Sequence, residues 1–364
     1  MKVKLGEYIQ EYSVRNKANE DIPVYSVTNT QGFCQDYFGK EVASKDKSTY
    51  KIVPRGYFAY NPSRINVGSV DWQRDEDQVI VSPLYNVFSV SPELNQQYLY
   101  YYLKSDFALH RIKAAATGSV RDNLKLEMLK NFPIRIPRVE EQEYIVQVLD
   151  KAKNIINLRR NELQKLDDLI KARFVEMFGE DIKQSNMTIA DIAEETTVGI
   201  ANSATHAYSE SGVVMLRNQN IRVNYLDDRD LIYIKQDFAE KYKNKALHEG
   251  DILVTRTGAN VGMACIVPKK YEGCQTFTTL ILRLRKDISI SPIFVCHYIN
   301  SPLGKSFVDE NKIGGGQPNF GAKQLSIMPI VVPSEEKQIA FDLFVNQVDK
   351  SKYNYSSSSL FLGI

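Results

Sequence analysis

Apolar positions in the first 137 residues come in short β-type runs. Pro23-Val-Tyr-Ser-Val27, Tyr57-Phe-Ala-Tyr60, Gln78-Val-Ile-Val-Ser82 and Tyr85-Asn-Val-Phe-Ser-Val90 are divided by polar, Gly- or Pro-containing turns, which predicts strands. The pattern then changes period. Tyr98, Tyr101, Tyr102 and Leu109 are spaced for a helix over Asn95–Lys113, with Ser91 as cap and Pro92 in its first turn. Pro137 closes this module, and a long helix is expected from Glu140 to about Phe178. Its seam is Ile145, Val148, Ala152 and Ile155. It resumes after a four-residue stutter near Arg159 as Leu163, Leu166, Ile170 and Met177. Gly179 reads as its stop, and its length is roughly 55–60 Å. From Met187 to Pro333 short runs return: Val213–Leu216, Leu231–Ile234, Asp251–Val254, Met263–Val267 and Thr279–Leu284, then a helix at Pro292–Asn300. A last helix opens at Glu335 with Ile339, Phe341, Phe344, Val345 and Val348. It is expected to end near Lys352, before the serine-rich stretch Tyr353–Ile364.

The second half restates the first. Asn123, Leu129, Pro133, Ile134, Pro137, Glu140 and Gln142 return as Asn319, Leu325, Pro329, Ile330, Pro333, Glu336 and Gln338, in one register without a gap. Tyr102-Leu-Lys-Ser105 matches Tyr298-Ile-Asn-Ser301. Slightly out of step, Asn66-Val-Gly68 matches Asn260-Val-Gly262 and Gly56 matches Gly250. Two copies of one module suit a ligand with two similar sites, and DNA is such a ligand.

Bulk composition narrows the classes. The chain has 364 residues, 43% hydrophobic and 25% charged, with a net charge of +2. That is an ordinary globular composition. No apolar run is long enough for a membrane span, and Met1-Lys-Val-Lys-Leu-Gly-Glu7 is no signal peptide. Cys34, Cys265, Cys274 and Cys296 form no CxxC pair and read as reduced, cytoplasmic thiols. Residues 1–139 carry 19 basic and 15 acidic side chains, and residues 187–335 carry 16 of each. Any nucleic-acid surface is therefore local, or partners supply the rest of the charge. His110, His206, His248 and His297 show no metal-ligand spacing. Asn61-Pro-Ser63 lacks the second proline and aromatic of an amino-methyltransferase motif and reads as a turn. Gly314-Gly-Gly316 lacks the Lys-Ser/Thr of a phosphate loop. No catalytic or metal constellation is expected.

Gly250-Asp-Ile-Leu-Val-Thr-Arg-Thr-Gly-Ala-Asn-Val-Gly262, Gly314-Gly-Gly-Gln-Pro-Asn-Phe320 and the Pro137–Gln142 helix opening, in this order around a long central helix, carry a resemblance. From Met1 to about Lys352 the chain resembles the DNA-specificity (S) subunits of type I restriction–modification systems. The resemblance implies an α/β (mixed α+β) fold, with two similar target recognition domains joined by long coiled-coil-forming helices. Residues 1–137 and 180–333 would be the recognition domains and 138–179 the central spacer helix. Residues 334–352 would be a shortened second spacer helix and 353–364 an irregular tail. It also implies a non-catalytic subunit reading a bipartite site in double-stranded DNA. Two methyltransferase (M) subunits would dock on it and carry S-adenosylmethionine, and restriction (R) subunits would join indirectly with ATP. No cofactor is expected on the chain itself. Two like modules on a rigid spacer match faces of B-DNA that recur about every 34–36 Å. A short second helix would leave part of the seam, including some of Leu163, Leu166, Ile170, Phe174 and Met177, without a partner unless a second copy covers it. A second reading is then a shortened allele that acts as an assembly or exchange partner, or as a store of recognition domains. A self-contained nucleic-acid enzyme is a third, disfavoured by the missing motifs.

Base edges are read by Arg, Asn and Gln, and phosphates are held by Lys, Arg, Ser and Thr. In the first module the candidates are Thr28, Asn29, Thr30, Gln31, Asn61, Ser63, Arg64, Asn66, Thr117, Ser119, Arg121 and Asn123. In the second they are Arg217, Asn218, Gln219, Asn220, Thr255, Arg256, Thr257, Asn260, Gln317 and Asn319. Residues that recur in both modules are expected to shape loops or hold phosphate. Their divergent neighbours Gln31, Arg64, Arg217, Gln219 and Arg256 are expected to read bases.

Overall fold

Strand pairing follows the apolar runs in a computed structural model that describes residues 2–35, 46–115, 123–201, 204–314, 316 and 318–360, with 353–360 as backbone only. The chain divides into two units, Met1–Asn157 and Leu158–Ile364. In the first, the strands are β1 (Val3–Lys4), β2 (Ile9–Glu11), β3 (Ser26–Thr28), β4 (Gly32–Cys34), β5 (Lys51–Pro54), β6 (Phe58–Tyr60), β7 (Val70–Trp72), β8 (Gln78–Val81) and β9 (Asn86–Val90). Helices α1 (Gln96–Lys104), α2 (Asp106–Ala115) and α3 (Leu126–Lys130) follow, then β10 (Pro133–Ile134) and the start of α4 (Val139–Lys183). An antiparallel sheet runs β2-β9-β6-β7. Phe58 faces Phe88 across it, rings stacked at 5.1 Å. Leu99, Leu103 and Ile112 of the helices close this core. A second cluster, Val27, Val53, Val79, Val81 and Val87, lies among β3, β5, β8 and β9.

The second unit has β11 (Met187–Thr188), α5 (Ile189–Ile192), β12 (Ala193–Val198), β13 (Tyr208–Ser209), β14 (Val213–Arg217), β15 (Ile221–Arg222), β16 (Tyr225–Leu226), β17 (Ile232–Ile234) and α6 (Gln236–Lys241). These lead to β18 (Ile252–Val254), β19 (Ala264–Ile266), β20 (Gln275–Phe277), β21 (Leu280–Leu284), α7 (Pro292–Asn300), α8 (Pro302–Asn311), α9 (Ala322–Ser326), β22 (Pro329–Ile330) and α10 (Glu335–Leu360). Its main sheet, β12-β21-β18-β19, has the order of the first. The strand pairs β1–β10 and β11–β22 also correspond. The inserted strands diverge. The first unit has the separate ladders β3–β4 and β5–β8, the second a sheet β13-β17-β14-β20 and the hairpin β15–β16.

Recurring residues hold the shared frame. Gln142 is buried. It donates to the carbonyls of Glu93 (2.8 Å) and Pro137 (2.9 Å) and accepts from Asn95 N (2.8 Å). Gln338 does the same to Ser289 (3.1 Å), Pro333 (2.8 Å) and Ser291 N (2.6 Å). Each glutamine thus pins the start of a long helix, α4 or α10, to the start of α1 or α7, and satisfies backbone groups that are costly to bury unpaired. Tyr102 and Tyr298 donate to the carbonyls of Pro133 (2.9 Å) and Pro329 (2.5 Å). The tyrosines of α1 therefore pin the next strand as well as fill the core.

Four expectations need correction. The Asn95–Lys113 helix is two helices, because the Ser105 hydroxyl bonds the Tyr102 carbonyl (2.6 Å) and accepts from Ala108 N (3.3 Å). Asn95, not Ser91, is the cap, accepting from Tyr98 N at 3.0 Å; Ser291 holds the corresponding place on α7. Gly179 does not stop the central helix, which continues to Lys183. Phe178 and Ile182 are both buried there, and that burial outweighs the roughly 1 kcal/mol a helical glycine costs. The last helix does not end near Lys352 but runs to Leu360, since each serine costs a helix less than about 0.7 kcal/mol.

Within the second unit α10 lies antiparallel to the C-terminal part of α4. Lys337 pairs with Asp181 and Lys352 with Asp167, both at 2.7 Å. Phe341 stands 5.6 Å from Phe174 and 5.3 Å from Phe178. Leu166, Ile170, Met177, Phe344 and Val348 join the same cluster. Of Leu163, Leu166, Ile170, Phe174 and Met177, some of which are expected from sequence to lack a partner, the last four are therefore packed. In this antiparallel pair the first turns of α10 meet the last turns of α4, and the seam at the other end of α4 lies in the first unit. That end carries the seam residues Val148 and Ile155, both exposed, and Ile145 and Ala152, half-buried.

Candidate nucleic-acid interface

Each unit places its candidate side chains on the loop after the third strand of the main-sheet order and on the segment before α3 or α9. In the first unit β6 ends at Tyr60 and the chain turns at once. Asn61 O accepts from Arg64 N (3.0 Å) and Ile65 N (2.9 Å), and Asn61 Oδ1 accepts from Ser63 N (3.0 Å). Gly68 closes the loop at φ 90°. The backbone bond Leu124 N to Pro62 O (3.1 Å) brings Asn123 alongside, where it accepts from the Ser63 hydroxyl at 2.6 Å. In the second unit β18 leads into Thr255-Arg256-Thr257. Phe320 N donates to Arg256 O (2.9 Å), and Arg256 Nε donates to Asn319 Oδ1 at 3.1 Å. The recurring asparagine is thus drawn to the same loop in both units.

The hairpins that differ between the units supply the neighbours. Asn29 and Gln31 occupy the exposed tip between β3 and β4, with Gln31 N bonded to Thr28 Oγ1 at 3.1 Å. Asn218, just past β14, donates to Thr257 Oγ1 at 3.1 Å. Arg217 Nη2 donates to Asp230 O at 2.7 Å. Arg217 Nε and Asn218 Oδ1 are buried without a hydrogen-bond partner among the described residues.

Three candidates face inward. Asn220 is fully buried and uses its amide on the carbonyls of Asp227 and Arg229, each at 3.0 Å. Thr255 is buried, bonded to Asn260 O and accepting from Met263 N at 2.9 Å. Thr28 is buried at the hairpin base. These hold loop shape and are withdrawn as DNA contacts. Thr30, Gln31, Arg64, Gln219 and Asn260 are exposed and Asn66 is half-buried. The side chains of Gln31, Arg64 and Gln219 make no hydrogen bond among the described residues. Thr117, Ser119, Arg121 and Gln317 lie outside the described residues.

Lys104 escaped the sequence reading, although the match of Tyr102-Leu-Lys-Ser105 to Tyr298-Ile-Asn-Ser301 marked its position. At the end of α1 its ammonium donates to Asn29 O (3.0 Å), Asn29 Oδ1 (3.2 Å) and Gly68 O. Burial lowers its pKa, and Asp71 works against that shift. The corresponding Asn300, at the end of α7, donates to Ala264 O (2.8 Å) and Asn224 Oδ1 (2.6 Å) and accepts from Ala264 N (2.9 Å). The described residues include no cluster of three metal-ligating side chains, and no described helix is long and apolar enough to cross a membrane.

Residues 2–168 and 183–352 match the model of the type I restriction modification DNA specificity domain. The chain is similar to the type I restriction enzyme EcoKI specificity subunit of Escherichia coli (strain K12), 19% identical over 259 residues, covering 66% of this chain and 56% of that protein. It is similar too to the type I restriction enzyme MjaVIII specificity subunit of Methanocaldococcus jannaschii, 22% identical over 273 residues, covering 70% and 64%. The matched part thus spans less than two-thirds of either relative. Two solved structures share the fold. One is the S subunit of a type I restriction–modification system from M. genitalium, with a TM-score of 0.53, 14% identity, and coverage of 100% of this chain and 93% of that one. The other comes from work on the assembly and conformational transition of the type I R-M system, with a TM-score of 0.51, 17% identity, and coverage of 100% and 94%. With both of its repeats inside the matched region, the chain belongs to the type I restriction modification DNA specificity domain family.

Proposed function

We propose that this chain is the non-catalytic, sequence-reading subunit of a type I restriction–modification complex. Each unit reads one half of a bipartite site in double-stranded DNA. The observation that carries this reading is one frame built twice, with polar side chains gathered on corresponding loops and the neighbouring hairpins built differently. A shared frame supports like placement on DNA, and unlike hairpins support unlike half-sites. Gln31, Arg64 and Asn123 in one unit, and Asn218, Gln219, Arg256 and Asn319 in the other, are the proposed contacts. M subunits bring S-adenosylmethionine and R subunits bring ATP, so neither cofactor is sought on this chain. The exposed apolar side chains on the first half of α4 favour an additional association: in the chain alone, a second copy covers them.

Expressing the chain with its cognate M subunits and mapping methylated adenines tests the reading. The expected result is one motif of two defined halves around a spacer of fixed length. An unsplit motif, or methylation by the chain without M subunits, sinks it. Absence of any complex with M subunits would favour the reading of the chain as a reservoir of recognition domains.

A further inference from the structure

We propose that Lys104 and Asn300 are corresponding positioning residues, Lys104 locking a divergent hairpin to the recurring glycine loop of its unit and Asn300 locking one to the strand β19 that leaves that loop. The inference rests on the DNA-reading role proposed above and adds what fixes the reading side chains in place. Two different side chains stand at matching positions of the repeat and do one job. Lys104 reaches from the end of α1 to Gly68 O, on the loop that carries Ser63, Arg64 and Asn66, and to both oxygens of Asn29 beside Gln31. Its three N–H donors are thereby occupied. Gly68 admits this approach because a Cβ there would lie 2.6 Å from Asn29 Oδ1. Asn300 reaches from the end of α7 to both backbone groups of Ala264, just past Gly262, and to Asn224. Asn224 sits at φ 67° in the turn of the β15–β16 hairpin, directly after Arg217–Asn220. Asn224 is also held by Cys296 Sγ (3.5 Å) and by the His297 ring (3.3 Å).

In both units, then, a helix-end side chain holds the hairpin that does not repeat against the repeating loop or the strand leaving it. A reading side chain displaced by about an ångström loses its hydrogen bond to a base edge. A phosphate contact from an adjacent backbone segment is less demanding. Loosening either clamp should therefore relax sequence preference in one half of the site and leave the other half alone.

The test compares the wild-type chain with Lys104→Met and Asn300→Ala, each expressed with the M subunits, by mapping methylated sites and measuring thermal melting. Lys104→Met is expected to lower base discrimination on the order of tenfold in the half read by the first unit only. Asn300→Ala should do so in the other half only, with a melting transition that is lowered but still single and cooperative. Unchanged motifs in both variants overturn the proposal. So does joint loss of both halves with a collapsed melting transition, which would make the clamps merely structural. The salt dependence of DNA binding separates a direct phosphate role. Equal slopes for wild type and Lys104→Met are expected, whereas a slope smaller by about 0.9 means that Lys104 neutralises phosphate itself, and overturns the positioning role. If the wild type gives no bipartite motif, the DNA-reading function fails first and this inference falls with it.

Discussion

His297 shows how one side chain couples the second unit to its spacer helix. It lies in α7, its ring edge-on to Phe341 of α10 at 5.3 Å and its Nδ1 3.3 Å from Asn224 Nδ2. Burial pushes its pKa down to about 4 from the usual 6.5, with Asp349 and Asp167 working against burial and Lys352 with it. The folded state therefore takes up this proton less readily than the unfolded chain. Stability from the neutral ring is complete above pH 6.5 and drains away as the pH falls toward 4. Denaturant midpoints for wild type and His297→Gln, measured at pH 7 and pH 5, should differ in their pH dependence, with the variant the flatter. Parallel profiles would rule out this histidine as the source. From sequence alone His297 is one of four histidines without metal-ligand spacing, and its burial is a tertiary fact. What sequence could not supply was direction. Thr255 and Arg256 are neighbouring candidates, yet Thr255 is sealed in the loop and Arg256 reaches Asn319. Which way each points depends on a backbone turn fixed by a bond from Phe320, far away in the chain.

At the scale of elements, α4 separates local signals from tertiary ones. Glycine after a run of helix formers is a stop signal on local grounds, but at Gly179 the buried Phe174, Phe178 and Ile182 keep the helix going. Gly179 has no positive φ, and an added Cβ would come no nearer than 3.7 Å to Val175. Gly179→Ala should therefore raise the unfolding free energy by about 0.5–1 kcal/mol, read by urea denaturation. A loss of stability would show that the helix is distorted there. The same division explains what was legible. The main-sheet strands β6, β9, β18 and β21 announce themselves as apolar runs because both faces are packed. The strands of the hairpins β3–β4 and β15–β16 are only two or three residues long, too short for an alternating pattern to show their pairing, although the Pro23–Val27 run overlaps β3. They are nevertheless where the two units differ and where several candidate contacts sit.

For the whole molecule, we propose that the exposed apolar side chains on the first half of α4 set the association state of the isolated chain. Tyr144 and Leu158 are each 67% exposed, and Val148, Ile155 and Ile156 are also exposed. A second copy laid antiparallel, with its two-fold axis between Lys151 and Ala152, sets Ile145 opposite Leu158 and Val148 opposite Ile155. The same register sets Glu143 opposite Arg160, so apolar residues meet apolar ones and acid meets base. The pairing has the antiparallel sense that α10 already uses against the far end of α4. Light scattering on the purified chain at tens of micromolar should give the mass of a dimer. Val148→Glu with Ile155→Glu should give a monomer with an unchanged melting curve. Charge reversal is the sharper check: Glu143→Lys alone weakens the dimer by placing like charges together, and Arg160→Glu added to it restores opposite charges and the dimer. A wild-type chain that stays monomeric, or a double reversal no stronger than the single one, would eliminate this register and leave these side chains of α4 to a different chain.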